Sequence, residues 1–378
     1  MATDVRISGD GVLAVTIEGL TRERAVVLRD LACNPDGGIS LSGETAAAGG
    51  DVVLTGARDR LRRFLEALRS NPRVPGELSS RLQYRFDNYL RSDYKIACRG
   101  GVLDLGLRTH VMGILNATPD SFSDGGRFAA ADRALAHARE MASGGADVID
   151  IGGESTRPGA SPVPEDEELR RIIPLIERLS AELPLPISVD TYKSSVAKKA
   201  LQAGASIVND ISGLRFSPDM AKVAAEYGAG VVIMHIKGTP RNMQQDPVYA
   251  DVVGEIMAYL EEGIELAVRA GVDREKVMID PGIGFGKTLE HNLTVLNRLD
   301  EFRALGRPIV LGASRKKFIG TVLNVPVPEE RAFGTAATVA LGIERGASIV
   351  RVHDVASMTQ VARMTDAIVK RQILISNV

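Results

Sequence analysis

From His110 onward, short apolar runs alternate with longer stretches in which apolar residues recur every three or four positions. The runs are His110–Asn116, Ala146–Gly153, Pro186–Thr191, Ser206–Ile211, Gly230–His235, Val277–Gly282, Pro308–Ser314 and Ile349–Asp354. They are too short for helices, and several are nearly continuous in Val and Ile, as parallel strands buried on both faces should be. Between them, Ala130–Ser143, Glu165–Glu182, Ser194–Ala203, Asp251–Ala270 and Glu329–Arg345 carry the helical period. Strict strand–helix alternation predicts a parallel α/β fold. Eight strands within about 265 residues match a closed (β/α)8 TIM barrel. An open dinucleotide-binding sheet would place G-x-G-x-x-G after its first strand. That position here reads Thr118-Pro119-Asp120-Ser121-Phe122-Ser123-Asp124-Gly125-Gly126, so the barrel is expected.

The chain before the barrel is patterned more weakly. Gly11–Ile17 and Val52–Thr55 read as strands, Thr21–Ala32 and Arg58–Ser70 as helices. They predict a small α+β extension over residues 1–75, divided by the Gly- and Ala-rich stretch Pro35–Asp51. A break at Asn71–Gly76 precedes a linker helix within residues 76–93, placed at Ser79–Tyr89. The barrel unit is assigned to residues 94–378. It opens with a hairpin, Tyr94–Leu107, turning at Arg99-Gly100-Gly101. A hairpin directly before the first barrel strand is expected to plug the barrel's N-terminal mouth.

Composition narrows the function classes. Of 378 residues, 44% are hydrophobic and 25% charged, as in ordinary globular proteins. The formal charge of −2 gives no global basic field for nucleic acid, although a local site for a small anion stays open. No apolar run approaches the roughly 18–20 residues that cross a bilayer, and no basic-then-apolar leader opens the chain. With only Cys33 and Cys98 and no metal-type spacing, reduced thiols and a cytoplasmic location are expected.

Barrels of this kind build their active sites at the C-terminal strand ends. Here those ends read Asn116, Glu154-Ser155-Thr156-Arg157-Pro158-Gly159, Asp190-Thr191, Asn209-Asp210, Met234-His235, Asp280, Ser314-Arg315-Lys316 and Arg351-Val352-His353-Asp354. Helix capping accounts for a single Asp, Asn or Ser at such a place. It does not account for Arg, Lys and His beside them. Nor does it explain acids inside apolar strands, as in Ser188-Val189-Asp190 and Met278-Ile279-Asp280, which cost several kcal/mol unless paired or ligand-bound. The segment Gly284-Phe285-Gly286-Lys287-Thr288 approaches a phosphate loop, but the required first glycine is Pro281, so nucleoside triphosphate binding is not expected. Lys287 then reads as a solvated residue of a helix's first turn. Thr118–Phe128 and Ser155–Pro164 have the composition of mobile lids.

Together these motifs resemble the dihydropteroate synthase family. The first two loops, Met112 to Gly126 and Asp150 to Gly159, carry its signatures. The match continues through Ser188–Thr191, Asn209–Ile211, Asp280–Lys287, Ser314–Lys316 and Arg351–Asp354, covering the chain from about Tyr94 onward. The resemblance implies condensation of 6-hydroxymethyl-7,8-dihydropterin diphosphate with p-aminobenzoate, releasing pyrophosphate. It implies pterin contacts from Asp190, Asn209, Asp280 and Lys316, with Met234 and Ser314 in the substrate-binding set. Asn116 would ligate Mg²⁺, and Arg351 and His353 would meet the diphosphate. Asp190 and Asp124 would steady a cationic pterin methylene, making Asp190, Asp124, Lys316 and Arg351 the catalytic set. Thr156, Arg157, Pro158, Phe122 and Phe285 would frame the arylamine ring. A homodimer acting on small molecules, with no nucleic acid or membrane partner, is implied as well. The pterin-dependent methyltransferases that serve a corrinoid partner are the alternative, and the two long loops argue against them. Two departures stand out: Lys317 occupies a position where some members carry a small hydroxyl residue, and most members lack the extension before about Gly76.

Overall fold

The computed structural model describes residues 4–9, 11–32, 38–43, 50–99, 101–117 and 126–370. The chain divides into two compact units, one of Met1–Arg91 with Asp300–Gly306, the other of Ser92–Leu299 with Arg307–Val378.

The first unit contains β1 (Asp4–Ser8), β2 (Val12–Leu20), α1 (Arg22–Ala32), β3 (Ile39–Ser42), β4 (Gly50–Ala57), α2 (Arg58–Arg69) and α3 (Gly76–Leu90). The strands form an antiparallel sheet in the order β1-β2-β4-β3. Alternation along β2 and β4 buries Leu13, Val15, Ile17, Val52 and Leu54 on one face. Three elements depart from expectation. Strands β1 and β3 carry only two apolar residues each on their inner rows, and β3 lies inside the stretch that reads as a divider. The helix α3 is not a linker: Leu82, Phe86 and Tyr89 are fully buried in this unit. Tyr89 Oη lies 2.8 Å from Gly9 O and 2.9 Å from Asp300 Oδ2, and Asn88 donates to Ala304 O at 3.2 Å.

The second unit begins with the hairpin β5 (Lys95–Cys98) and β6 (Gly101–Asp104). Eight parallel strands follow: β7 (His110–Asn116), β8 (Val148–Gly152), β9 (Ile187–Asp190), β10 (Ile207–Asp210), β11 (Gly230–Met234), β12 (Val277–Asp280), β13 (Ile309–Leu311) and β14 (Ala347–Val352). They pair in sequence order and close, β14 against β7, into the expected TIM barrel. The outer helices are α4 (Gly126–Ser143), α5 (Glu165–Glu182), α6 (Ser194–Ala203), α7 (Met220–Glu226), α8 (Val252–Arg269), α9 (Leu289–Asn297), α10 (Lys317–Leu323), α11 (Ala332–Glu344) and α12 (Val355–Lys370). Among the described residues no helix is long and apolar enough to cross a membrane.

The hairpin packs against the inward residues at the start of the barrel strands. Tyr94, Ile96, Leu103 and Leu105 pack into one cluster with Met112, Val148, Ile207, Val232, Met278, Val310 and Ile349, the inward residues of seven barrel strands. This layer seals the lower barrel against water, and the polar layer above it depends on that seal. Ile96 is wholly buried there. Ile96→Ala is expected to lower the unfolding free energy by about 2–4 kcal/mol in a urea titration; a loss below about 0.5 kcal/mol would mean that the hairpin does not pack as a core element.

Candidate active site

In a strand, residues two apart face the same way. One step of two above the plugged layer therefore places a second ring of side chains inside the barrel. From Val148, Ile207, Val232, Met278 and Ile349 the step reaches Asp150, Asn209, Met234, Asp280 and Arg351. From Ser188 in β9 it reaches Asp190, and from Val310 it reaches Gly312, just beyond β13. The interior thus turns from apolar to ionisable within a single pleat.

Arg351 organises this ring. Its Nε donates to Asp150 Oδ2 at 2.6 Å and its Nη2 to Asp190 Oδ2 at 2.7 Å. Asn209 Nδ2 also donates to Asp150 Oδ2, at 3.1 Å. A Cβ placed on Gly312 would stand 3.6 Å from Asp280 Oδ2 and 3.9 Å from both Lys316 Nζ and Arg351 Cδ. Those three side chains therefore converge on the gap that the missing Cβ leaves. Lys316 Nζ donates to Ile283 O and lies 4.7 Å from the centre of the Phe285 ring. Met234 packs with Ile211, Ile236, Met243, Tyr192 and Phe285, which gives the slot an apolar wall. Asp150 Oδ1, Asp190 Oδ1 and Ser188 Oγ are buried with no hydrogen-bond partner among the described residues. Such orphaned acceptors are expensive unless a ligand satisfies them.

The electrostatics match this geometry. Burial pushes Asp190 up to about 7, against the pull of Arg351 and with Asp150 adding to the rise. Burial raises Asp280 as well, with Lys316 opposing. Lys316 is lowered to about 8 by burial, which Asp280 resists and Arg351 reinforces. Burial also works against the Arg351 cation, but Asp150 and Asp190 outweigh it and hold the group charged. His353 falls to about 3 through burial and then through Arg351 and Arg315, so its imidazole is neutral.

At the rim, Asn116 lines a cleft of about 450 Å³ together with Arg315, His353 and Asp354. Ser314 Oγ lies 3.1 Å from His353 Nδ1 and accepts from His353 N at 3.2 Å. Arg315, in the left-handed region at φ 58°, is clasped by Asp354. Thr156 is half-buried on the loop after β8, whereas Arg157 and Pro158 are exposed. That loop is tied at both ends by Lys193, whose Nζ donates at 2.6 Å to Glu154 Oε2, to Val163 O and to Glu168 Oε2. Phe122 and Asp124 lie outside the described residues. Lys317 is exposed at the start of α10.

Sequence reasoning and structure differ at several residues. Asp150 was not expected in the site, although Val148-Ile149-Asp150-Ile151 carries the same acid-in-an-apolar-run signal as Asp190 and Asp280. Asp210 serves the fold: its carboxylate accepts from Ser212 N and Ser212 Oγ at 2.7 Å and from Leu214 N at 2.9 Å. Lys287 is not solvated. It is 2% exposed, with Nζ 2.8 Å from His235 Nδ1 and 2.9 Å from Gly282 O. Its amine end turns to these partners rather than to water.

Comparison with known proteins places this architecture. The model of the pterin binding enzyme family matches residues 112–353. A dihydropteroate synthase of Bacillus subtilis is 55% identical over 264 residues, which cover 70% of this chain and 90% of that one. A probable bifunctional folylpolyglutamate synthase/dihydropteroate synthase of Halobacterium salinarum is 43% identical over 364 residues. That match takes in 96% of this chain, and so reaches into the N-terminal extension, but only 44% of the relative. A crystal structure of a Clostridium difficile dihydropteroate synthase, obtained in the presence of pteroic acid, is 52% identical with a TM-score of 0.67, covering 70% of this chain and 98% of that one. The chain belongs to the pterin-binding enzymes, within the dihydropteroate synthase family.

Proposed function

We propose that the chain condenses 6-hydroxymethyl-7,8-dihydropterin diphosphate with p-aminobenzoate to give 7,8-dihydropteroate and pyrophosphate. The observation that carries this reading is the ring of buried acids one pleat above the plug, with orphaned oxygens on Asp150 and Asp190. A pterin edge offers ring N–H and amino donors, and buried carboxylates and amides are its complement. The Clostridium difficile relative was crystallised with pteroic acid, which joins a pterin to p-aminobenzoate. Methyl transfer to a corrinoid partner has no observation in its favour.

In this reading Asp150, Asp190, Asn209 and Asp280 receive the pterin donors, and Lys316 donates to a ring acceptor. Met234 bounds the flat heterocycle. Arg351 and neutral His353 donate to the diphosphate, a role for which a guanidinium fork is well shaped. Mg²⁺ keeps water and substrate oxygens and needs only one or two protein ligands. The Asn116 amide oxygen, on the cleft beside Arg315 and His353, fits that demand and would hold the ion, which supplies charge neutralisation for the leaving group. As the C–O bond to the diphosphate breaks, positive charge grows on the pterin methylene. The Asp190 carboxylate, with Asp124 from the first loop, stabilises it. The p-aminobenzoate nitrogen then attacks from the side framed by Thr156, Arg157, Pro158, Phe122 and Phe285, and its proton is lost. Ser314 holds the His353 ring in place.

A homodimer is part of this reading: the neighbouring helices α11 and α12 carry exposed apolar residues, Phe333 and Leu341 on one and Met364 and Ile368 on the other. A cytoplasmic location accords with the substrates of this reading.

Three outcomes test it. With both substrates and Mg²⁺, the purified chain should release pyrophosphate; a folded chain that releases none contradicts the reading. Asp190→Ala and Lys316→Ala should each weaken pterin binding about 100-fold in calorimetry, the loss expected for a charged hydrogen bond. Full affinity in both would remove the slot assignment. The pH profile of kcat/KM should be bell-shaped. Asp190 is raised to about 7, so its carboxylate is lost as pH falls through 7. Lys316 is lowered to about 8, so its charge is lost as pH rises through 8. Lys316→Arg keeps the cation and should move the alkaline limb upward; an unmoved limb would assign it to another group.

A further inference from the structure

The loop between β12 and α9 runs Pro281-Gly282-Ile283-Gly284-Phe285-Gly286 and lines one side of the slot. Its glycines at 282, 284 and 286 have φ values of 69°, 83° and 62°, a region closed to most side chains. A Cβ at Gly282 would lie 1.9 Å from His235 O, and one at Gly286 would lie 2.6 Å from Lys237 O. The loop therefore lies flush against residues 235–237. Gln244 Nε2 and Tyr249 Oη donate to Gly284 O and Gly286 O at 2.7 Å, and Gly284 N donates to Asn292 Oδ1 at 2.6 Å, which leaves the Gly282 and Phe285 carbonyls to Lys287.

Lys287 reaches back beneath it. Its Nζ lies 2.9 Å from Gly282 O, 3.1 Å from Phe285 O and 2.8 Å from His235 Nδ1. The His235 ring is fixed by an edge contact with Tyr259 at 4.8 Å, and its backbone N donates to Asp280 O at 3.0 Å. Burial drives both side chains toward neutral forms, Lys287 adding to the effect on His235 and Asp280 opposing the effect on Lys287. The Lys287 amine has an N–H for each of the two carbonyls and meets His235 Nδ1 as well, so all three contacts are satisfied within the fold.

We propose that Lys287 is a positioning residue for the synthase reaction. By holding the carbonyls of Gly282 and Phe285 it fixes two substrate-facing features at once. One is Ile283 O, which receives Lys316 Nζ. The other is the Phe285 ring that bounds the arylamine side. The proposal rests on the roles given above to Phe285 and Lys316.

The test uses the full chain with Lys287→Met, which keeps the bulk, and Lys287→Gln, which keeps one donor. In Lys287→Met, amide exchange across residues 282–286 should quicken at least about tenfold while Val277–Asp280 stays protected. KM for p-aminobenzoate should rise about tenfold with kcat changed less than about threefold, and Lys287→Gln should fall between. Should Lys287→Met fail to fold, Lys287→Gln carries the same readouts. An unchanged loop exchange overturns the proposal. So does a loosened loop with unchanged KM, which would make Lys287 structural only. The exchange measurement needs no catalysis, so an inactive wild type would contradict the synthase reading, whereas a rigid loop in the variants would contradict this one.

Discussion

The guanidinium of Arg351, held between Asp150 and Asp190, is the interaction on which the site depends. Three carboxylates inside the barrel, those of Asp150, Asp190 and Asp280, would repel and desolvate one another without internal cations. Arg351 bridges two of them, and Lys316 faces Asp280. Removing one member of such a buried pair typically costs about 3–5 kcal/mol, because the other is left uncompensated. The pairing is incomplete by design of the geometry. One oxygen on each of Asp150 and Asp190 stays open for a ligand.

That polar ring exists only because the layer beneath it is dry. The hairpin side chains fill the floor of the barrel, so the change from apolar to charged occurs over one pleat rather than across a water-filled lumen. Low local dielectric then strengthens each contact to a substrate, and burial disfavours the charged forms of Asp190, Asp280, Lys316 and His353. The loops divide the remaining work. The one after β8 is clamped by Lys193, and the one after β12 is drawn down by Lys287, so flexible composition coexists with fixed anchor points.

Much of this was legible in the sequence, for a physical reason. A strand buried on both faces must be apolar unless a residue faces a site, so Asp190, Asn209 and Asp280 declare themselves in runs of Val and Ile. Asp150 gives the same signal but pairs with Arg351, 201 positions away, and spacing along the chain does not reveal that partner. Strand ends blur where pairing is irregular: β13 keeps only Ile309–Leu311, and its register with β14 shifts between Ile309 and Val310. Lys287 could not be read at all, since its partners are two backbone carbonyls and a histidine 52 residues earlier. In the extension, β1 and β3 escaped notice because four or five residues show too little alternation to separate from a loop.

The central claim is that the Asp150–Arg351–Asp190 cluster is the pterin slot. The most direct test is calorimetric titration of 6-hydroxymethylpterin into the wild type and Asp150→Asn, which keeps size and fold but weakens the hold on Arg351. The account predicts binding to the wild type and affinity lower by at least about tenfold in the variant, the loss of a charge-assisted contact. Equal affinity in the two proteins would contradict it.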